Sequence, residues 1–327
     1  MSGSAAQHVT GGAGAGQGSG RSGGLRDWLH DWATAWDAFW FTPSDPLPLA
    51  VIRICTGLLL TWSACVWWLD APAFFGSQGW LAPHDVWRMH DSRAAPWLWS
   101  WYFPVDSPAM IRLLAGGCVV AAVMLTIGLA TPLAATVSLA GVVAAVNRAP
   151  LNTFGLDDTL GLLLVGLVVG PSGARLSVDR RLGWVGQGGQ SVLATIALRF
   201  IQVHLCVVYF FSGCGKLLGA SWWEGTALWG AAANVQYRTL DITFLARHPL
   251  VVNALTLTTL LWEVAYPALV WPRLTRRLFL AMAVAVHLGI GLAMGMMEFG
   301  LAMITANLAF VPTEVWRTLA RPDTGRG

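Results

Sequence analysis

The chain has 327 residues, 55% of them hydrophobic and only 11% charged, with a mean hydropathy of +0.58. A soluble domain carries roughly 25% charged residues, so the composition excludes an ordinary soluble globule and describes a polytopic membrane protein. The net charge of +3 is spread over dispersed arginines, with no compact basic patch interleaved with stacking aromatics, which excludes a nucleic-acid groove.

Residues 1–24 are rich in Gly, Ser and Ala and contain no apolar core segment. They are expected to form a disordered tail and not a signal peptide. Residues 25–46 read as an amphipathic, interfacial lead-in. Apolar windows follow at about 47–69, 109–129, 131–147, 157–170, 193–217, 250–271, 276–297 and 299–316. A membrane helix takes about 20 residues, so the region 47–316 is expected to be an all-α bundle of about eight transmembrane helices, with 317–327 as a cytosolic tail. The in/out alternation of a membrane barrel is missing. Gly295, Glu298 and Gly300 mark the break between the last two windows.

With the N-terminus in the cytosol, eleven arginines fall on inner segments, from Arg21 and Arg26 through Arg175 and Arg273 to Arg321 and Arg326, and five on outer ones, Arg88, Arg93, Arg148, Arg238 and Arg247. The positive-inside rule then puts both termini in the cytosol of a multi-pass protein of the inner (cytoplasmic) membrane. Loop 70–108 carries Trp80, Trp87, Trp97, Trp99 and Trp101, which suits an aromatic belt, a lid over a membrane-facing site being the alternative. Loop 171–192 reads as a cytosolic connection. The five cysteines lie in apolar windows without CxxC spacing and read as small buried residues, and no metal-ligand spacing is present.

The chain holds nineteen arginines but one lysine, Lys216, inside the run Tyr209-Phe210-Phe211-Ser212-Gly213-Cys214-Gly215-Lys216-Leu217. An ionisable residue there is costly in lipid and is a functional-site candidate by default. Desolvation can turn a lysine into a proton acceptor, which it cannot do for arginine. A lysine snorkelling from a helix end is the alternative. Gln202, Tyr209 and Lys216 recur every seven residues and share a face that must point into the bundle, away from lipid. In the seventh window His287, Gly291, Met294 and Glu298 fall along one face. In the sixth, Glu263 precedes Tyr266 and Pro267, which is expected to break the helix near mid-span; Arg53 and Arg199 are the candidate partners for its carboxylate. Asp157 and Asp158 open the fourth helix, either as favourable first-turn charges or as groups that tune Lys216. Asn152 precedes them.

The run Tyr209–Leu217, followed by Ser221-Trp222-Trp223-Glu224-Gly225-Thr226-Ala227-Leu228, resembles the signature of vitamin K-dependent gamma-carboxylase and its bacterial relatives, the horizontally transferred transmembrane (HTTM) superfamily. Weaker matches extend over about 45–315: Leu49–Leu60 with Arg53, Phe74-Phe75-Gly76, Asn152, Leu176–Arg180, Trp262-Glu263 with Pro267, and His287–Phe299. The resemblance implies that Lys216 acts as the weak base that deprotonates a reduced naphthoquinone of vitamin K or menaquinol type. The quinol anion then reacts with O2 to give the strong base that takes a proton from a glutamyl-type acceptor, and the carbanion captures CO2. It implies Lys216, Asn152, Asp157 and Asp158 as catalytic candidates, and Tyr209, Gln202, His287, Glu263 and Trp222 as the quinol or substrate pocket. The bilayer, a membrane quinone and an extracytoplasmic protein or peptide are the implied partners, with the active face extracytoplasmic. The resemblance departs where Asn152 is followed by Thr153, the carboxylases having histidine there, and the family's large extracytoplasmic domain has no counterpart in these 327 residues. A non-catalytic membrane module that binds quinone or lipid, or assists an extracytoplasmic partner, is the second reading. A small-solute transporter is the third, disfavoured because no internal repeat is visible.

Overall fold

The computed structural model describes residues 24–89, 98–186 and 188–319. The expected tail (Gly24 apart), residues 320–327, Trp97, and Arg21, Arg93, Arg321 and Arg326 lie outside the described residues. Contacts divide the chain at residue 39. In the first unit, α1 (Leu25–Phe41) begins; it has no buried residue and presents Trp28, Trp32 and Trp36 at a spacing of four, as an interfacial helix would.

The second unit is helical, and no strand occurs among the described residues. All eight apolar windows form helices: α2 (Leu47–Leu69), α5 (Pro108–Ile127), α6 (Thr131–Arg148), α7 (Gly155–Val169), α9 (Val192–Leu217), α12 (Pro249–Leu269), α13 (Arg273–Met294) and α14 (Met297–Asn307). Short helices fill the connections: α3 (Ala71–Phe75), α4 (Pro83–Met89), α8 (Val178–Arg181), α10 (Ala220–Trp223), α11 (Ala227–Ala233) and α15 (Thr313–Leu319). Five helices, α2, α5, α9, α12 and α13, are long and apolar enough to cross a membrane. Leu58, Leu113, Val120, Leu133, Phe211, Leu261 and Leu278 point outward from them and from α6, a surface suited to lipid and costly in water.

Neighbouring helices pack in the order α2, α5, α6, α7, α9, α12, while α14 touches α2, α7, α9 and α13 and so fills the middle of the bundle. The eighth window is therefore not one helix. α14 lasts 11 residues, tightens into a 3-10 turn at Leu308–Phe310 and stops before Pro312, which has no amide hydrogen to continue it. The break before it lies at Gly295, whose φ of 71° ends α13 in the left-handed region that glycine enters without strain. Glu298 thus belongs to α14 and not to the His287 face.

One end of the bundle is pinned by charged side chains bonded to backbone. Asp179 accepts from Ala130 N, Thr131 N and Thr131 Oγ1 at 2.6, 2.8 and 2.6 Å, capping the start of α6. Arg53, the first expected partner of Glu263, is fully buried at this end and donates to Ser172 O (3.2 Å) and Leu176 O (2.5 Å). At the other end Arg148 is also fully buried, donating to Phe75 O and Gly76 O at 3.0 and 2.6 Å, and ties α6 to the end of α3.

Candidate functional site

α9 and α12 pack closely because Gly213 presents no side chain: a Cβ there would lie 2.8 Å from Val264 Cγ2 and 3.3 Å from Glu263 Cβ. That approach brings the chain's single ammonium onto a carboxylate. Lys216 Nζ lies 2.6 Å from Glu263 Oε2, and their side chains are 23% and 9% exposed. The ammonium also donates to Ser212 Oγ, one helical turn back, at 2.6 Å, and sits 5.4 Å from the centre of the Trp222 ring. Glu263 is therefore paired with Lys216, and neither expected arginine reaches it. Arg199 donates instead to Gln202 Oε1 at 2.9 Å. Pro267 stands in the last turn of α12 and not at mid-span; it merely leaves the Glu263 carbonyl without its usual helical donor.

Lys216 is the penultimate residue of α9. Its partner lies much deeper. Glu263 is fourteen positions into α12, about 21 Å from the start of that helix at 1.5 Å per residue. α12 overshoots the end of α9, and α10 and α11 pack against the part that projects. The ion pair is thus sunk below this end of the bundle.

A second polar cluster adjoins it. Tyr266 Oη donates to Asn307 Oδ1 at 2.5 Å, and Asn307 Nδ2 donates to Met303 O (2.9 Å) and to Tyr209 Oη (3.0 Å). The two donations fix which side of the amide is nitrogen. Tyr209 Oη also bonds His287 Nε2 at 2.8 Å. The other ring nitrogen, His287 Nδ1, is buried and has no partner. All four side chains are at least 96% buried. Trp262, itself bonded to Phe279 O at 3.2 Å, and Phe299 approach His287 edge-on, with ring centres 6.3 and 5.8 Å away.

The structure thus brings together Lys216, Glu263 and Trp222, and beside them Tyr209 and His287. It separates the rest. Gln202 shares the heptad face but lies fourteen residues along α9, about 21 Å from Lys216, where its Nε2 donates to Ala309 O at 2.7 Å and ties α9 to the end of α14. A seven-residue repeat preserves the face, not the depth. Asn152 and Asp158 are exposed. Asp157 is buried because its carboxylate accepts the Phe154 N–H at 3.0 Å, half of a capping box at the start of α7. That turn approaches the site through Phe299, whose ring packs on Gly155. Glu298 accepts from Ser63 Oγ at 3.2 Å, on α2.

Sequence reasoning missed Asn307 and Ser212. The first is the one amide of α14, a polar residue alone in an apolar run; the second stands four residues before Lys216, the helical spacing for contact. The segment after α9 also encloses a cleft of about 540 Å³ walled by Glu224, Trp229 and Asn253. No group of three or more His, Cys, Asp or Glu side chains suited to a metal occurs among the described residues. Comparison of the chain with protein-family models, with curated proteins and with solved structures finds no match in any of the three.

Proposed function

We propose that the protein is a membrane enzyme in which the Lys216–Glu263 pair takes a proton from a reduced membrane quinone of naphthoquinol type, with O2 as oxidant. The carrying observation is the 2.6 Å contact between an ammonium and a carboxylate, sunk among aromatic rings next to an unpaired buried histidine nitrogen. A quinol offers a flat apolar ring for Trp222 and a hydroxyl proton for the Glu263 carboxylate, both beside the ammonium. When bound, it supplies reducing electrons and, with O2, a base far stronger than any side chain.

The pair as it stands carries one proton between two sites that can hold one more. A quinol hydroxyl proton passes to the Glu263 carboxylate, leaving a neutral acid, while Lys216 remains an ammonium opposite the new anion. Charge is conserved inside the site, and no isolated ion is created in a low-dielectric region. Glu263 is then the proton acceptor, and Lys216, which the resemblance implied as the base, holds the resulting charge as an ammonium counter-ion. Carbon dioxide and a glutamyl-type acceptor on an extracytoplasmic peptide complete the carboxylase version of this reading. The cleft near Glu224 is not where that acceptor docks, because its described walls carry a carboxylate and no cation. The orientation that goes with the reading has both termini in the cytosol of the inner membrane and the Lys216 end of α9 facing outward.

The closed state of the ion pair favours a second reading, a module that binds quinone or lipid without turnover. Epoxide formation separates the two. Purified protein in lipid is supplied with reduced naphthoquinones, O2 and bicarbonate, beside Lys216→Ala and Glu263→Gln. Epoxide from wild type alone supports the enzyme, whereas quinol binding with no epoxide from any of the three leaves the binding module.

A further inference from the structure

At the opposite end of the bundle from Lys216, a cleft of about 210 Å³ opens between the starts of α9 and α13 and the end of α14. Two guanidinium groups line it, Arg199 from α9 and Arg276 from α13, and none of its described lining residues carries a carboxylate. Both are held in place at Trp271: Arg199 Cζ lies 5.7 Å from the centre of its ring, and Arg276 Nη2 donates to the Trp271 carbonyl while Nε donates to Val270 O at 3.2 Å.

A preference for arginine on one side of the membrane accounts for Arg273 and Arg277, which are exposed. It does not account for Arg199 and Arg276, which are half-buried and turned into the cleft. Arg199 sits seven residues into α9, about 10 Å from its first residue. Arg276 adds a second positive charge near the start of α13, the positive end of that helix dipole, where a cation is unfavourable and an anion is favoured. Two like charges facing one enclosed volume, each with its fork partly fixed, form a receptor for a group with several anionic oxygens. The walls beyond the arginines are mixed: Ser44, Thr195 and Gln202 offer polar contacts, while Leu198, Phe310 and Val311 form an apolar stretch that suits an acyl chain.

The geometry points to a phosphate-binding site in this cleft, with Arg199 and Arg276 as its two ligating side chains. The phosphate belongs either to an anionic lipid headgroup or to a free anion, and the site is independent of the quinol chemistry at the other end.

The test is thermal unfolding of the purified full chain in detergent, titrated separately with phosphatidylglycerol, phosphatidylcholine and inorganic phosphate. Wild type is compared with Arg199→Gln, Arg276→Gln and, as a control, the exposed Arg277→Gln. Phosphatidylglycerol is expected to stabilise wild type and Arg277→Gln at the same concentration, and to act about tenfold more weakly on either cleft variant, the worth of one charge-assisted hydrogen bond. Phosphatidylcholine, whose headgroup brings its own cation, is expected to be weaker. Arginine-dependent stabilisation by inorganic phosphate alone assigns the site to a free anion. If Arg276→Gln does not fold, having lost its bonds to the end of α12, Arg199→Gln carries the comparison. Equal responses of wild type, the cleft variants and the control to every additive overturn the site.

Discussion

Breaking the Lys216–Glu263 pair tests the central contact without any assumption about substrate. At 2.6 Å and an effective dielectric constant of about 20, the gross attraction is about 6 kcal/mol. Desolvating the two ions costs several kcal/mol each, so the pair as a whole adds little net stability. Stranding one partner is another matter, because a carboxylate that is 9% exposed then has no counter-charge. Lys216→Met is expected to destabilise the protein by about 2–4 kcal/mol, the lower part of the range for a buried pair because the lysine side chain is partly exposed. Glu263→Gln, which strands the ammonium, falls in the same range. The double variant replaces both ions by neutral groups of similar volume and is expected to lose no more than either single variant, which makes the coupling at least about 2–4 kcal/mol. Unfolding in detergent, followed by tryptophan fluorescence for all four proteins, measures the cycle. Additive losses, or a Lys216→Met protein as stable as wild type, would refute the pairing and the site built on it.

Two neighbouring contacts give further outcomes in the same assay. Tyr209→Phe removes the hydroxyl that serves both His287 and Asn307 and leaves two buried groups short of a partner, so a loss of about 1–3 kcal/mol is expected; an unchanged midpoint would contradict the hydrogen-bond chain. Gly213→Ala and Gly215→Ala place the same methyl group two residues apart on α9. The first meets Val264 at 2.8 Å and is expected to cost about 1–3 kcal/mol in overpacking. The second meets nothing within 4 Å and is expected to be neutral or to gain up to about 1 kcal/mol from helix propensity. Gly213→Ala should also shrink the Lys216–Glu263 coupling, since it pushes the two helices apart.

The arrangement of helices and the chemistry that they assemble come from different levels of information. Long apolar windows, scarce charge and Gly/Pro punctuation are local properties, and they determined that the chain is an all-helical membrane bundle with elements at 47–69, 109–129 and onward. The singular lysine and its helix-mate Tyr209 were legible for the same reason, because one helix has one period. Across helices that logic fails. Periodicity gives a face but not a depth, so Gln202 shared the stripe of Lys216 and yet serves the other end of the bundle. It also says nothing of partner choice. Three cations were available to Glu263 in the sequence, and only the close approach at Gly213 decided that Lys216 would be the one. Asn307 joined the site because α14, which ends there and does not continue as the expected span, is packed at the centre, where an amide can bridge Tyr209 and Tyr266. Depth, partner and protonation pattern arise from contacts between segments far apart in the chain, which only the tertiary structure sets.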